Sequence, residues 1–267
     1  MSKNKNITLV GCGKMGSALL KGWLASDIQA TFSVIDPHNI PFRGLDHFRD
    51  TAEASKTLAK TDLVIIAVKP QIMAEICNAL NQHIQGDALI LSIAAGQSIQ
   101  NFENYFGPKQ PIIRSMPNTP AAIGKGMTVA IANTNVTAQQ QKLAQTLLES
   151  AGKLEWLTDE AMLDAVTALS GSGPAYLFHL IEILSKAGEK TGLPAETAKT
   201  LARQTIIGSA ALAEQDKETS ADILRKNVTS PGGTTEAALK ILMDGRLQEL
   251  FDEALKAATK RSLELNA

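Results

Sequence analysis

Cysteine is scarce in this chain: Cys12 and Cys77 are the only two among 267 residues. Two thiols give no disulfide framework, so the default setting is a reducing cytosol. Histidine is also sparse, with four copies, and neither these nor the cysteines recur at metal-ligand spacing, so no metal site is expected. An excess of one charge is missing too. Twenty-six Lys and Arg against 27 Asp and Glu leave a formal net charge of −1, too little to draw in nucleic acid or an anionic membrane. The basic residues are scattered, with no run longer than the Lys260-Arg261 pair. No apolar run approaches the ~20 residues of a membrane span. The opening stretch lacks the long apolar segment of a secretory signal. Repeats and low-complexity segments are absent as well. What remains is a soluble, cytoplasmic protein whose partner is a small molecule, with no nucleic acid and no membrane.

The two halves of the chain read differently. Residues 7–11 (ITLVG), 31–36 (TFSVID), 63–68 (LVIIAV) and 88–93 (ALILSI) are apolar with little polar alternation. Parallel strands buried on both faces read this way. Helical stretches such as 17–25 and 71–82 lie between them. Two further strand candidates follow at 112–116 and 127–132, then a helix over about 137–150 and a final strand, LEWLT. Alternating strands and helices imply an α/β fold with a doubly wound sheet and right-handed crossovers. Beyond residue 160 the strand signal ends. Leu177, Leu180, Ile181 and Leu184 share one helical face, and residues 193–215 start with Pro194 in a first turn. That second helix has a stripe of small side chains, Ala198, Leu201, Thr205, Gly208 and Leu212, which would let another helix approach closely. Helices over 235–243 and 246–264 flank Gly245, a C-cap glycine. The expected organisation is a dinucleotide-binding, Rossmann-like domain over residues 1–160 and an all-α domain over 161–267. The helical domain has more apolar stripe than it can bury, which suggests an oligomer.

The sequence VGCGKMGSA places Gly11, Gly13 and Gly16 directly after a strand and at the start of a helix, the context a dinucleotide fingerprint requires. Gly11 allows the tight turn, Gly13 leaves room for a pyrophosphate, and Gly16 lets helix and strand pack closely. Cys12, Lys14 and Met15 lie within the same loop, Cys12 as a spacer. Asp36 ends the second strand, 20 residues after Gly16. An acid there can bond both ribose hydroxyls, which favours NAD over NADP, or it can form a turn before Pro37. His38, Asn39 and Arg43 lie just beyond and could hold a 2′-phosphate, so the sequence leaves the cofactor open. AVKP (67–70) and AAG (94–96) follow the third and fourth strands, at the carboxyl edge where open α/β sheets bind ligands. Lys69 is either a surface lysine or a cation for a phosphate or carboxylate.

VTSPGGTTEAAL (228–239) holds two glycines, a proline and four hydroxyl side chains, then turns helical. It has neither His nor Cys, and its carboxylate, Glu236, is already inside the helix. One reading is a Ser/Thr-capped helix start. The other is an anion grip, with Gly232 and Gly233 leaving backbone N–H groups uncovered at the positive end of a helix.

Taken in order, VGCGKMGSA, AVKPQ, SIAAG, RSMPNTPA, ALSGSGPAYLF and NVTSPGGTTEAAL run over nearly the whole chain, and together they resemble the Δ1-pyrroline-5-carboxylate reductase family. That resemblance implies a Rossmann domain followed by an all-α dimerisation domain. It implies reduction of the cyclic imine of pyrroline-5-carboxylate to L-proline by NADPH or NADH, and a homodimer that in the family often assembles into a decamer of five dimers. It places Val68, Lys69 and Pro70, with Ala94, Ala95 and Gly96, on the nicotinamide-ribose side, and Asn118 with Met116 and Pro117 near the nicotinamide. Substrate contacts follow at Glu218, Ser230, Gly232, Gly233, Thr234 and Thr235, with Ser172 of SGSGPA at the pocket. Thr235 offers its hydroxyl to the ring nitrogen. Asp36 departs from the family pattern, in which NADPH mostly prevails. Two other readings are a hydroxy-acid reductase, which would need a lysine where SGSGPA stands, and a dinucleotide sensor with a damaged substrate loop. SGSGPA has no lysine, and the loop at 228–239 is intact.

Overall fold

A computed structural model describes residues 4–266. Eight strands form one sheet in the order β3-β2-β1-β4-β5-β6-β7-β8, where β1 is Lys5–Val10, β2 Ala30–Ile35, β3 Asp46–Phe48, β4 Leu63–Ile66, β5 Leu89–Ser92, β6 Ile112–Met116, β7 Gly126–Ala132 and β8 Gly152–Trp156. The helices of this part are α1 (Lys14–Leu24), α2 (Ser55–Leu58), α3 (Met73–Asn81), α4 (Ile99–Phe106), α5 (Ala138–Glu149) and α6 (Leu163–Val166). The expected α/β fold is present.

The unbroken apolar strands are explained by the two faces they serve. Ile7, Leu9, Leu63, Ile65, Leu89 and Leu91 join one buried cluster with Leu19, Leu20 and Trp23 of α1 and Leu147 and Leu148 of α5. The alternate residues Val10, Val64, Ile66 and Ile90 point the other way, toward Leu58, Met73, Cys77, Leu80 and Phe102 of α2, α3 and α4. Successive side chains of a strand face opposite sides, so a sheet covered on both sides needs apolar residues at every position. Trp23 is the largest fully buried side chain. It stacks on Phe32 with ring centroids 5.7 Å apart and donates its indole N–H to the Leu147 carbonyl at 2.9 Å.

Pairing is parallel from β3 through β6 and again between β7 and β8, but β6 and β7 run antiparallel. The reason lies in the nine residues between them, which form only a 3₁₀ turn, Thr119–Ile123, closed by Gly124 at φ +70°. A parallel return needs a crossover of a dozen or more residues. The strand expected as LEWLT begins earlier, at Gly152. The three-residue edge strand β3 and the helices α2, α4 and α6 are additions to the sequence reading.

The chain divides into two compact units. One contains the residues up to Ser172 together with those from Ala258 onward, and the other is Gly173–Ala257. The second unit is helical: α7 (Gly173–Lys190), α8 (Ala195–Gln215), α9 (Ala221–Asn227), α10 (Thr234–Leu242) and most of α11 (Arg246–Asn266). Within it α7 and α8 pack together. Ala198 lies under Gly188, where an added Cβ would come within 3.3 Å of it. Farther along the small-residue stripe the cover stops, and Leu212 is 53% exposed while nothing approaches Gly208. Leu177, Phe178, Leu184 and Ile207 are also exposed. This unit therefore leaves many large apolar side chains of α7 and α8 exposed in a single chain.

Candidate active site

The glycine loop follows β1 at the point where strand order reverses between β1 and β4. Gly11 has φ +91°, and a Cβ there would sit 2.8 Å from the Ala67 carbonyl oxygen and 3.0 Å from Val68 Cγ1. Only glycine fits this turn. A Cβ on Gly16 would drive into the Gly11 carbonyl, so this glycine permits the close approach of α1 to the loop. Gly13 differs, because nothing lies within 4 Å of its missing Cβ. The space above it is open and bordered by the first turn of α1. Gly13 is also the N-cap of α1 and supplies no side-chain hydrogen bond to the first-turn N–H groups. By contrast, α4 is capped by Ser98, and α5 by a full capping box of Thr137 and Gln140. A helix start with uncapped donors and an open cradle fits a dinucleotide pyrophosphate.

Asp36 has a more definite place than its sequence position implies. Its Oδ2 accepts the backbone N–H of Cys12 at 2.7 Å, and its Oδ1 accepts that of His38 at 2.8 Å. The second bond is an Asx turn across Pro37, so the turn-forming alternative is realised. The first ties the glycine loop to the end of β2. His47 adds a ring-nitrogen contact of 2.9 Å to the Asp36 carbonyl. Cys12 lies between Asp36 and Ser17. Burial pushes its thiol pKa up and the Asp36 charge adds to this, against the lowering effect of the Ser17 hydrogen bond. A raised thiol is a poor nucleophile, which suits a spacer role.

The carboxyl edge of the sheet gathers the remaining cofactor candidates. Val68 is partly buried, while Lys69 and Pro70 are exposed at the start of a short 3₁₀ turn. Ala94, Ala95 and Gly96 follow β5, and Gly96 has φ +70°. A Cβ at Gly96 would meet the Leu265 carbonyl at 3.0 Å and the Leu265 side chain at 3.1 Å. The end of α11 therefore covers this turn, and Ser262 donates to Asp164 in a buried contact of 2.6 Å. Neither contact was legible in the sequence, since they join residues far apart along the chain.

Two motifs meet through one side chain. Asn118 donates to the Ser170 carbonyl at 3.1 Å and to its hydroxyl at 3.3 Å, while its Oδ1 accepts the Met127 N–H at 2.8 Å. Ser170 belongs to a π-helical turn, Thr167–Gly171, that precedes α7, and the Ser172 N–H closes it on the Thr167 carbonyl at 2.9 Å. Insertions of this kind often accompany functional sites. Gly171 faces Met116 so closely that a Cβ would displace the Met116 methyl. Pro174 sits in the first turn of α7. His179 is exposed and faces Glu182 at 3.4 Å.

In the helical unit the loop before α10 has Gly232 at φ +71° and Gly233 as the N-cap, again with no side-chain cap. Thr235 is thus inside the first turn, half-buried, and is not the cap residue. The Gly232 N–H is occupied by Glu236, whose Oε2 accepts it at 2.7 Å. The two amides expected to be uncovered are thus both engaged, Gly232 by an internal carboxylate and Gly233 by the Ser230 carbonyl. Glu236 lies inside the helix, as the sequence indicates, and from position i+4 its side chain reaches back to the Gly232 N–H. Ser230 accepts the Gly233 N–H through its carbonyl at 3.0 Å. Thr234 is exposed, and Glu218 is exposed in the loop between α8 and α9. Among the described residues no cluster of His, Cys, Asp and Glu could hold a metal ion, and no helix is long and apolar enough to cross a membrane.

The chain is 41% identical to the pyrroline-5-carboxylate reductase of Pseudomonas aeruginosa over 97% of its own length and 96% of that protein's. It belongs to the pyrroline-5-carboxylate reductase family. The family profile described as pyrroline-5-carboxylate reductase dimerisation matches residues 160–265, and one described as NADP oxidoreductase, coenzyme F420-dependent, matches residues 6–96. The fold agrees: a structure of a pyrroline-5-carboxylate reductase from Coxiella burnetii superposes with a TM-score of 0.92 at 35% identity, covering 99% of this chain and 100% of that one. A Plasmodium falciparum pyrroline carboxylate reductase, solved with NADP bound, gives 0.85 at 30% identity over 99% of both chains. Membership of this family sets the motif order in context, because the glycine loop and the SPGGTT loop belong to the two segments these profiles describe.

Proposed function

We propose that this protein reduces the C=N bond of 1-pyrroline-5-carboxylate to give L-proline, the last step of proline synthesis, using NADPH, with NADH as the alternative donor. The observation that carries this reading is the near-full-length similarity to pyrroline-5-carboxylate reductases combined with intact loops at both motif sets. The bound nicotinamide would supply the hydride. The work left to the chain is binding and alignment, and holding two reactants in register is worth roughly 7–11 kcal/mol.

In this reading residues 11–16 hold the pyrophosphate in the open space above Gly13 and at the uncapped start of α1. Val68, Lys69, Pro70, Ala94, Ala95 and Gly96 line the nicotinamide-ribose side, and Asn118 positions the Ser170–Ser172 turn beside them. Gly232 and Gly233, with Ser230 and Thr234, take the substrate carboxylate, which replaces Glu236 on the Gly232 N–H. Thr235 directs its hydroxyl to the ring nitrogen, where it can donate or accept as the protonation state changes. A cyclic imine is basic enough to be reduced as the iminium, so no strong general acid is required. Glu218 adds an acid near the substrate.

Residues 1–160 form the dinucleotide-binding domain in this assignment, and residues 161–267 the helical domain for dimerisation and substrate binding. The bare apolar surface of α7 and α8 supports self-association as a homodimer. Five such dimers would form the decamer implied by family resemblance, in a cytoplasmic setting that suits two free thiols. The test supplies pyrroline-5-carboxylate and follows oxidation of NADPH and NADH in parallel. Turnover is expected, and its absence with both nucleotides removes the reading. Light scattering reads the assembly, where a monomer at micromolar concentration would contradict it.

A further inference from the structure

Arg49 follows β3, whose Phe48 pairs with Ile35 at the end of β2. Its guanidinium reaches back over the loop that begins at Asp36. One terminal nitrogen donates to the Pro37 carbonyl at 2.6 Å and the other to Asn39 Oδ1 at 2.8 Å. The backbone N–H of Arg49 is held by Glu53 at 2.7 Å, and the Glu53 N–H by Asp50 at 2.9 Å. The side chain is thus fixed at its root and at its head. Among the described residues no carboxylate pairs with the guanidinium, and Arg49 is exposed. Arg43, the arginine that the sequence offered for this role, is exposed and makes no such bonds.

The carboxylate of Asp36 works in the opposite sense. Each of its oxygens already accepts a backbone N–H, from Cys12 and from His38. Two amide dipoles offset its charge, and one of them belongs to the glycine loop itself. Asp36 is therefore a clamp between the loop and the end of β2. Its negative charge bears less on an arriving phosphate than that of an outward-facing acid would.

We propose that Arg49, held by Pro37 and Asn39, recognises the 2′-phosphate of the dinucleotide, so that the protein selects NADPH although an acid ends β2. The proposal rests on the reductase reading above. A planar guanidinium presents paired donors that match phosphate geometry, and one already immobilised loses less freedom on binding.

Calorimetric titration of the full chain with 2′,5′-ADP and with 5′-ADP reads this contact without turnover. The wild type should bind 2′,5′-ADP about tenfold or more tightly than ADP, a difference of about 1.4 kcal/mol. Arg49→Met should bring 2′,5′-ADP down to the ADP level while leaving ADP unchanged. Arg43→Met should keep the preference. An Arg49→Met variant that retains the preference, or a wild type that binds both alike, overturns the proposal. The reductase reading is tested separately by turnover: oxidation of NADH with pyrroline-5-carboxylate by a protein that binds both analogues equally sinks only the arginine.

Discussion

Asn118 holds Ser170 through both a carbonyl and a hydroxyl contact, at 3.1 and 3.3 Å, and with its other end accepts the Met127 N–H at 2.8 Å. One amide therefore locks the π-helical turn before α7 to the connection between β6 and β7. Removing it leaves a backbone donor and a backbone acceptor without partners. Asn118→Ala should lower unfolding stability by about 1–3 kcal/mol, read as a shift of the urea midpoint with an unchanged slope. An unmoved midpoint would mean that solvent replaces the link at no cost.

The glycines of the first loop should separate binding from folding. Gly13→Val places its side chain in open space, so the fold should survive while nucleotide affinity is lost. Gly16→Ala forces a methyl into the Gly11 carbonyl, and overpacking of this kind costs about 1–3 kcal/mol. Thermal unfolding and nucleotide titration of both variants check the pair. Normal nucleotide affinity in Gly13→Val would remove the pyrophosphate from this loop.

At the second loop, Thr235→Val keeps shape and removes the hydroxyl. Loss of one aligned donor in a catalytic site costs about a hundredfold or more in turnover, so kcat should fall by that order while the cofactor Kd stays put. Unimpaired turnover would show that the hydroxyl serves no reacting atom. Glu236→Ala acts in the opposite direction. Freed of its internal carboxylate, the Gly232 N–H should take the substrate anion more readily, and KM should fall. A rise in KM would show instead that Glu236 holds the loop in its binding shape.

Cys77 carries a pH signature. Burial raises its thiol from 9.0 to about 12. The folded protein thus favours the neutral thiol more than the unfolded chain does. That contribution is complete below pH 9.0 and is lost as pH rises from there toward about 12. Denaturation midpoints should decline across this window, and the decline should be shallower in Cys77→Ala. Equal slopes for the two proteins would assign alkaline unfolding to other groups.

The sheet was legible because strands buried on both faces are apolar at nearly every position, and Leu63–Ile66 and Leu89–Leu91 show this without ambiguity. Gly11 and Gly16 were legible because backbone geometry excludes every other residue. What escaped was set by distance or brevity. A strand of three residues such as Asp46–Phe48 has no period to detect, so nothing in the sequence marks Arg49 at its end. The reversal at β7 lay in the shortness of a connection and not in the strands on either side. Asp36 was read for its spacing from Gly16, yet its partners, Cys12 and His38, are decided by how a loop folds over Pro37. The roles assigned to Thr235 and Glu218 came from motif resemblance, since a hydroxyl or an exposed acid carries no pattern of its own.

The unit that holds the sheet takes up the chain again from Ala258 onward, where Ser262 meets Asp164 and Leu265 roofs the Gly96 turn. During synthesis the eight strands leave the ribosome long before those last helical turns do. The unit must therefore wait, with its Asp164 carboxylate and its β5 turn uncovered, while the whole helical unit is made. A ribosome-stalled chain ending at residue 257 should be more open to protease around residues 94–96 and 164 than the released protein, and equal protection would mean that the late segment only decorates a unit already closed.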